Sequence, residues 1–418
     1  KRLSGEDLLR EALELIRRSA EPDAPSAPDG PDKPGEPDRP AVPGEDARWP
    51  RRIVMAPGAL EAAAAHAEER GYGRILLVAD ANTRVAAGRR LEQFLANRGI
   101  RAETVLVAAN EAGDVAADEA SVVQVLIERQ KMKAEALAAV GGGTLLGTAR
   151  YAAFTCGIPF VSVPTAPSVD GFTSGVAPLI LRGRKVTVPA AAPEAVFADP
   201  DVLVRAPSRL IAAGFGDMLG KYTSLFDWRF GFLSGGEPYS PAAADLTERA
   251  LRTCVAHADG IGRGTEEGIL ALMRALFASG LAMLLFGQSH PASGAEHHLS
   301  HWWEMEFLRR GRRQALHGAK VGVACAIVAD YYRSVPEERV RAAAGERADE
   351  VLRLLGNLPS GEELRGLLRT AGGPAAPDEL GIEPELIEGG LRQAHLVRPH
   401  RRTLLNALRR LNVDEVKD

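Results

Sequence analysis

The sequence predicts an α/β chain, with a doubly wound parallel sheet in its first half and an all-helical domain in its second. Two observations carry this. Between Arg51 and about Pro164, short apolar runs of buried-strand type, such as RILLVAD and ALAAVGGG, alternate with segments of helical period. Strands separated by helices pair in parallel, because each crossover returns the chain in the same direction. Beyond about Leu203 the pattern turns helical and stays so to Leu411, with apolar positions recurring on one face.

Taken in order, LSGEDLLREALELIRRSA places Leu8, Leu9, Leu13, Leu15 and Ile16 at roughly helical spacing, with Ser4 as N-cap and Asp7 completing a capping pattern. A helix this short is marginal alone and would dock on a partner or on its own body. Glu21 to Asp46 is dominated by Pro, Asp, Gly and Ala, which bury no apolar area and read as a linker. RRIVMAPGAL then gives a strand and a helix to about Gly71, and RILLVAD a buried strand ending at Asp80. A helix to Asn97, the strand AETVLV, a helix from about Ala117 to Arg129, the strand ALAAVG with its following helix, and the strand IPFVSVPT complete the sheet segments. Among the later helices, Glu266 to Phe286 is long and apolar. The divisions expected are residues 1–20 as an amphipathic helix, 21–50 as linker, 51–205 as the nucleotide-binding α/β domain and 206–418 as the helical metal-binding domain.

Composition excludes several classes. A chain of 418 residues with 45% hydrophobic content builds sizeable cores, and a formal net charge of −4 with no terminal basic run leaves no footprint for nucleic acid. Cys156, Cys254 and Cys325 lie far apart without CxxC spacing, so neither a disulfide framework nor a thiolate zinc site is expected, and a reducing cytoplasm fits. The sequence reads as having neither an apolar run of about 18 residues nor a secretion signal, so no membrane span is expected.

Chemistry concentrates in a few places. Glycines Gly141, Gly142 and Gly143 follow a strand and open a helix at Thr144; they make either a tight turn or a seat for a pyrophosphate at a helix N-terminus. Asp80, at a strand's carboxyl end, can accept from ribose hydroxyls, and the loop APSVDGFTSG brings hydroxyls and Asp170 to the same edge. In SGAEHHLSH a helix stacks His297 over His301 at i, i+4, either as a surface pair or as metal ligands. With His317 and a carboxylate, best Asp217 in AAGFGDMLGKY, they would complete a metal site. A nucleotide half followed by a metal half is a redox enzyme's layout.

From VADANT through GGGT, VPTAPSVDGFTS, AGFGDMLGKY, SGAEHHLSHWWEM and ALHGAKVG, the chain resembles the sn-glycerol-1-phosphate dehydrogenase family, within the iron-containing alcohol dehydrogenase and dehydroquinate synthase-like superfamily. The resemblance runs from about Arg51 to the C-terminus. It implies a Rossmann-like domain, a helical domain and an active site between them. It also implies NAD(P)H as cofactor, contacting Asp80, Gly141, Gly142, Gly143, Thr144, Leu145, Thr165, Ala166, Pro167, Ser168 and Ser174. One divalent metal, Zn²⁺, Ni²⁺ or Fe²⁺, would be held by Asp217, His297 and His317. His301 and Asp170 would stand near the substrate and work with Asp217 in catalysis, His301 as proton relay and His298 as a packing residue behind it.

The activity so implied is reversible hydride transfer between NAD(P)H and dihydroxyacetone phosphate, or a related phosphorylated ketone or polyol, by a homodimer or larger homo-oligomer. Two alternatives stand beside it: a dehydroquinate synthase-like cyclase or lyase that recycles its hydride internally, and a binding protein that has lost catalysis. Gly147 and Arg150 stand where relatives carry an acid and a lysine, which alters a charged pair beside the cofactor, and His290 stands where they carry an arginine, which bears on the substrate's phosphate.

Overall fold

The computed structural model describes residues 49–414 together with Asp7, Leu8, Arg10, Glu11 and Glu14. The sheet strands are Arg52–Met55 (β1), Arg74–Ala79 (β2), Arg101–Leu106 (β3), Ala136–Gly141 (β4), Phe160–Pro164 (β5) and Ala195–Ala198 (β8), ordered β1-β8-β5-β4-β2-β3. Every pairing in this sheet is parallel. β4, β5 and β8 are buried along their whole length, which is why β4 and β5 read as continuous apolar runs rather than alternating ones. Helices Ala59–Glu69 (α1), Arg89–Ala96 (α2), Glu119–Met132 (α3) and Gly143–Thr155 (α4) cover the sheet, and the order of strands reverses beside β4, where ligands of such sheets bind.

Three strands escaped the sequence reading. Val176–Leu181 (β6) and Arg184–Pro189 (β7) form a separate antiparallel hairpin, and β8 inserts between β1 and β5. The hairpin carries Pro178, Pro189 and Gly183, residues that ordinarily argue against strand and are tolerated in a two-stranded ribbon with open edges. β8 has only four residues, too few to show a period.

The second half is helical from Ser208. Ser208–Leu219 (α5) runs through Gly220, which keeps right-handed helical angles, into Lys221–Gly235 (α6). Pro241–Ala256 (α7), Glu266–Phe286 (α8), Ala295–Arg309 (α9) and His317–Ser334 (α10) follow, and further helices reach Asp414. α8 corrects one expectation, since at 21 residues and mean hydropathy 2.1 it is long and apolar enough to cross a membrane. Within this fold it is a core helix, with 72% of that stretch buried. Of the N-terminal helix, Leu8 is buried and Glu11 pairs with Arg249; Ser4, Leu9, Leu13, Leu15, Ile16 and residues 15–48 lie outside the described residues.

Candidate active site

The site is built where the carboxyl ends of β4 and β5 meet α5, α9 and α10. Two close approaches make this possible. A Cβ on Gly214 of α5 would lie 1.8 Å from the Pro167 carbonyl oxygen, and one on Gly280 of α8 2.1 Å from Thr173 Oγ1. Glycine at both positions therefore lets helices of the second half touch the loop after β5 directly.

Asp217 is fully buried on α5. Its Oδ2 accepts the Asp170 backbone N–H at 3.0 Å, and its Oδ1 lies 3.2 Å from Lys221 Nζ and 3.5 Å from His297 Nε2. The other ring nitrogen of His297, Nδ1, sits 2.7 Å from Glu296 Oε1. Glu296 is held in turn by the Gly294 N–H at 2.7 Å and the Thr223 hydroxyl at 2.6 Å. Such a carboxylate fixes the ring and leaves Nε2 free to bind an ion. The ligand atoms of Asp217, His297 and His317 all lie within 4.8 Å of one another, and His301, Glu304 and His317 form a second such group. The ring of His301 is 6.0 Å from that of His297 and 5.6 Å from that of His317, centroid to centroid.

The electrostatics suit a cation. Burial opposes ionisation of Asp217, but Lys221, His297 and His317 outweigh it and hold the carboxyl well below the usual range. Burial pushes His317 down to about 3 and lowers His301 far below its ordinary value, so both rings are neutral and able to ligate or to take a proton. Burial would also lower His297, yet its bonds to Asp217 and Glu296 raise it; an imidazole between two carboxylates attracts a proton or a divalent ion, and the two compete. One carboxylate and two imidazoles suit Zn²⁺, Ni²⁺ and Fe²⁺ alike. Lys221 also bonds Asp170 Oδ2 at 2.7 Å, and Asp170 accepts from the Ser279 hydroxyl at 2.8 Å. Burial and the Asp217 charge push the Asp170 carboxyl up.

The nucleotide end begins at Gly141, whose φ of +154° is one that L side chains rarely adopt; a Cβ there would meet Leu145 Cδ1 at 2.4 Å. α4 then starts with no side-chain cap on its free N–H groups, which leaves them for an anion. Asp80 caps the short helix Ala81–Thr83 through Oδ1, which accepts from the Asn82 and Thr83 N–H groups. Arg84, a candidate to offset its charge, is engaged by Glu92 at 3.1 Å.

A single cavity of about 480 Å³ connects these ends. Asp80, Gly142, Gly143, Thr144 and Leu145 line it on one side, Thr165, Ala166, Ser168, Asp170 and Ser174 along the loop, and His297, His301 and His317 on the other. Gly141, Pro167 and Asp217 are not among its lining residues; the first two shape the backbone, and Asp217 lies behind His297. Gly147 lies under β6, where a Cβ would already be 3.4 Å from the Pro178 carbonyl. Arg150 braces the loop by donating to the carbonyls of Gly171 at 2.7 Å and Val176 at 2.6 Å. His290 packs edge-on against Phe286, with ring centroids 5.1 Å apart, and burial takes it down to about 3. His298 is buried, and neither of its ring nitrogens has a hydrogen-bond partner among the described residues. The sequence reading missed Glu296, Lys185, Glu304, Lys320 and Arg398. Only Glu296 left a trace, as a carboxylate beside His297 at a helix start.

Residues 54–207 match the model of the iron-containing alcohol dehydrogenase family. The chain is 49% identical over 374 residues to glycerol-1-phosphate dehydrogenase (NAD(P)+) of Geobacillus stearothermophilus, covering 86% of this chain and 92% of that one. It is 46% identical over 371 residues to the enzyme of the same name from Geobacillus thermodenitrificans, covering 85% and 92%. Among solved structures, glycerol dehydrogenase from Schizosaccharomyces pombe superposes with a TM-score of 0.65 at 19% identity over 88% of this chain and 90% of that one, a likeness of fold. The chain belongs to the glycerol-1-phosphate dehydrogenase family, a branch of the iron-containing alcohol dehydrogenases.

Proposed function

We propose that the protein is a metal-dependent, NAD(P)H-linked dehydrogenase that interconverts dihydroxyacetone phosphate and sn-glycerol 1-phosphate. One observation supports this above all: the ligand atoms of Asp217, His297 and His317 converge within 4.8 Å, and His297 and His317 line the same cavity as the glycine turn. Asp217, His297 and His317 would hold a divalent ion, which would supply a Lewis acid for a ketone oxygen. The remaining roles belong to the chain. Gly142, Gly143 and Thr144 present N–H groups to the dinucleotide's pyrophosphate, and Asp80 accepts from the adenosine ribose. Lys221 compensates the buried Asp170 and Asp217 charges, and the Asp170 N–H fixes Asp217's orientation. His301, neutral and beside His317, takes the alcohol's proton on oxidation and returns it on reduction.

With Arg84 engaged by Glu92, the carboxylate of Asp80 favours NADH over NADPH. We take residues 51–205 and 206–418 as two domains with the site between them, and propose a cytoplasmic homo-oligomer.

The test is NADH oxidation by metal-loaded protein, with dihydroxyacetone phosphate and unphosphorylated dihydroxyacetone side by side. Turnover that requires the phosphate is the expected result. Absence of turnover with either ketone, in protein shown to hold metal and nucleotide, would overturn the reading in favour of internally recycled hydride chemistry.

A further inference from the structure

The charges that line the cavity are not all accounted for. Five cationic side chains line the cavity: Arg150, Lys185, Arg313, Lys320 and Arg398. Lys185 and Lys320 both pair with Glu304, at 2.9 and 3.4 Å, and Arg313 pairs with Asp114 at 3.0 Å. Arg150 donates to the carbonyls of Gly171 and Val176 and to the Ser174 hydroxyl. Arg398 differs from all four. Its guanidinium donates only to hydroxyls, Ser289 Oγ at 2.8 Å, Ser293 Oγ at 3.3 Å and Thr187 Oγ1 at 3.2 Å. No carboxylate of the described residues lies within ion-pair distance of it.

Each of those hydroxyls accepts from Arg398 and keeps its own O–H to give. A planar fork ringed by three such donors suits a tetrahedral dianion, whose oxygens accept several bonds at once. The seat is also prepared in advance. The Asn406 side chain donates to the carbonyls of Arg398 at 3.1 Å and Arg401 at 2.8 Å, and Arg401 donates to the Ser293 carbonyl at 3.0 Å. Ser293 precedes α9, four residues before His297, and Ser289, Ser293 and Arg398 line the same cavity as His297 and His301, so this seat borders the metal candidates. His290, the other basic group nearby, is packed into the core and absent from the lining.

We propose that Arg398, seated on Ser289, Ser293 and Thr187, holds the phosphate of the substrate and sets the preference for a phosphorylated over a free ketone. This rests on the proposed function in taking the substrate to be a polyol phosphate.

The experiment compares wild type, Arg398→Gln and Arg398→Lys, all metal-loaded, in two ways. The first is the ratio of kcat/KM for dihydroxyacetone phosphate to that for dihydroxyacetone, with KM for NADH measured alongside. The second is the calorimetric Kd of inorganic phosphate for the NADH complex. Loss of charge-assisted bonds should lower the ratio about 10- to 100-fold in Arg398→Gln, by less in Arg398→Lys, and weaken phosphate binding in step. An unchanged ratio and Kd would overturn the proposal, as would a rise confined to KM for NADH, which would assign the guanidinium to the dinucleotide's phosphates. If Arg398→Gln does not retain metal and nucleotide, Arg398→Lys decides on the same criteria. A wild type inactive on dihydroxyacetone phosphate would refute the functional reading, while the phosphate titration would still decide this one.

Discussion

At the scale of single residues, Glu296 shows how a metal candidate is made from more than its ligands. It stands one position before His297, which on a regular helix puts it about 100° away from the ligand face. As the second residue of α9 it instead folds back to the Gly294 N–H and reaches His297 Nδ1. His297, His301 and His317 drew notice because imidazoles are scarce in this sequence, but an i, i+4 pair is equally a surface pair, and the ligand set followed only from the family resemblance. Spacing hides Glu296, whose role depends on where the helix begins. Arg398 was hidden for another reason, since the loop that seats it lies some hundred residues away and only folding joins them. We expect Glu296→Gln to keep the fold but weaken metal retention about 10- to 100-fold, whereas Asp217→Ala should abolish retention and turnover together. Equilibrium dialysis against graded chelator, read by metal content, separates the two. Wild-type retention in Glu296→Gln would remove its orienting role.

At the scale of elements, the legible ones were those long enough to show a period or buried on both faces. α8 was bounded correctly from its apolar composition, and β2, β4 and β5 from their unbroken runs. β8 was not, and its anchoring is chiefly polar at its start. Glu194, just before the strand, accepts from Tyr72 at 2.5 Å and from Arg70 at 2.5 Å and lies 3.1 Å from the His66 ring, tying the strand to α1 and the turn after it. Burial alone would raise its carboxyl, but the bonds from His66 and Tyr72 and the Arg70 charge bring it down to about 2. A depressed carboxylate stabilises the fold above its unfolded value, near 4.5, and loses that contribution as pH falls toward the folded value. Discounted for the partly exposed Arg70, the contribution at pH 7 is about 2 kcal/mol. Glu194→Gln should therefore cost about 2 kcal/mol in urea unfolding at pH 7, and the difference from wild type should shrink as pH is lowered from 4.5 to 3. A cost that holds constant through that window would locate the effect in packing instead of charge.

At the scale of the molecule, the question is whether sheet and helices act as one cooperative body. The sequence divided them at about residue 205, because its patterns change there and patterns are local. Packing across that division is continuous: a single apolar cluster includes Val78 and Leu137 of the sheet together with Phe215 and Phe277 of the helices. Buried bonds cross at the same place, from Thr173 Oγ1 to the Phe277 carbonyl at 3.0 Å and from Asp170 N to Asp217 at 3.0 Å. The proposed nucleotide contacts belong to the sheet half and the candidate metal residues to the helical half, so each ligand would report on one side. If the halves unfold together, a ligand at about 100 times its Kd adds about 2.7 kcal/mol to the whole. With an unfolding entropy of roughly 0.8 kcal/mol/K for a body of this size, the single midpoint should rise about 3 °C with metal and about 3 °C more with NADH. Calorimetric scans of the same protein, chelated, metal-loaded, and loaded with both, measure this directly. Two transitions, one moved by metal and the other by NADH, would mean that the boundary read from the sequence is also a boundary of stability, and that the shared core does not couple the two halves of the site.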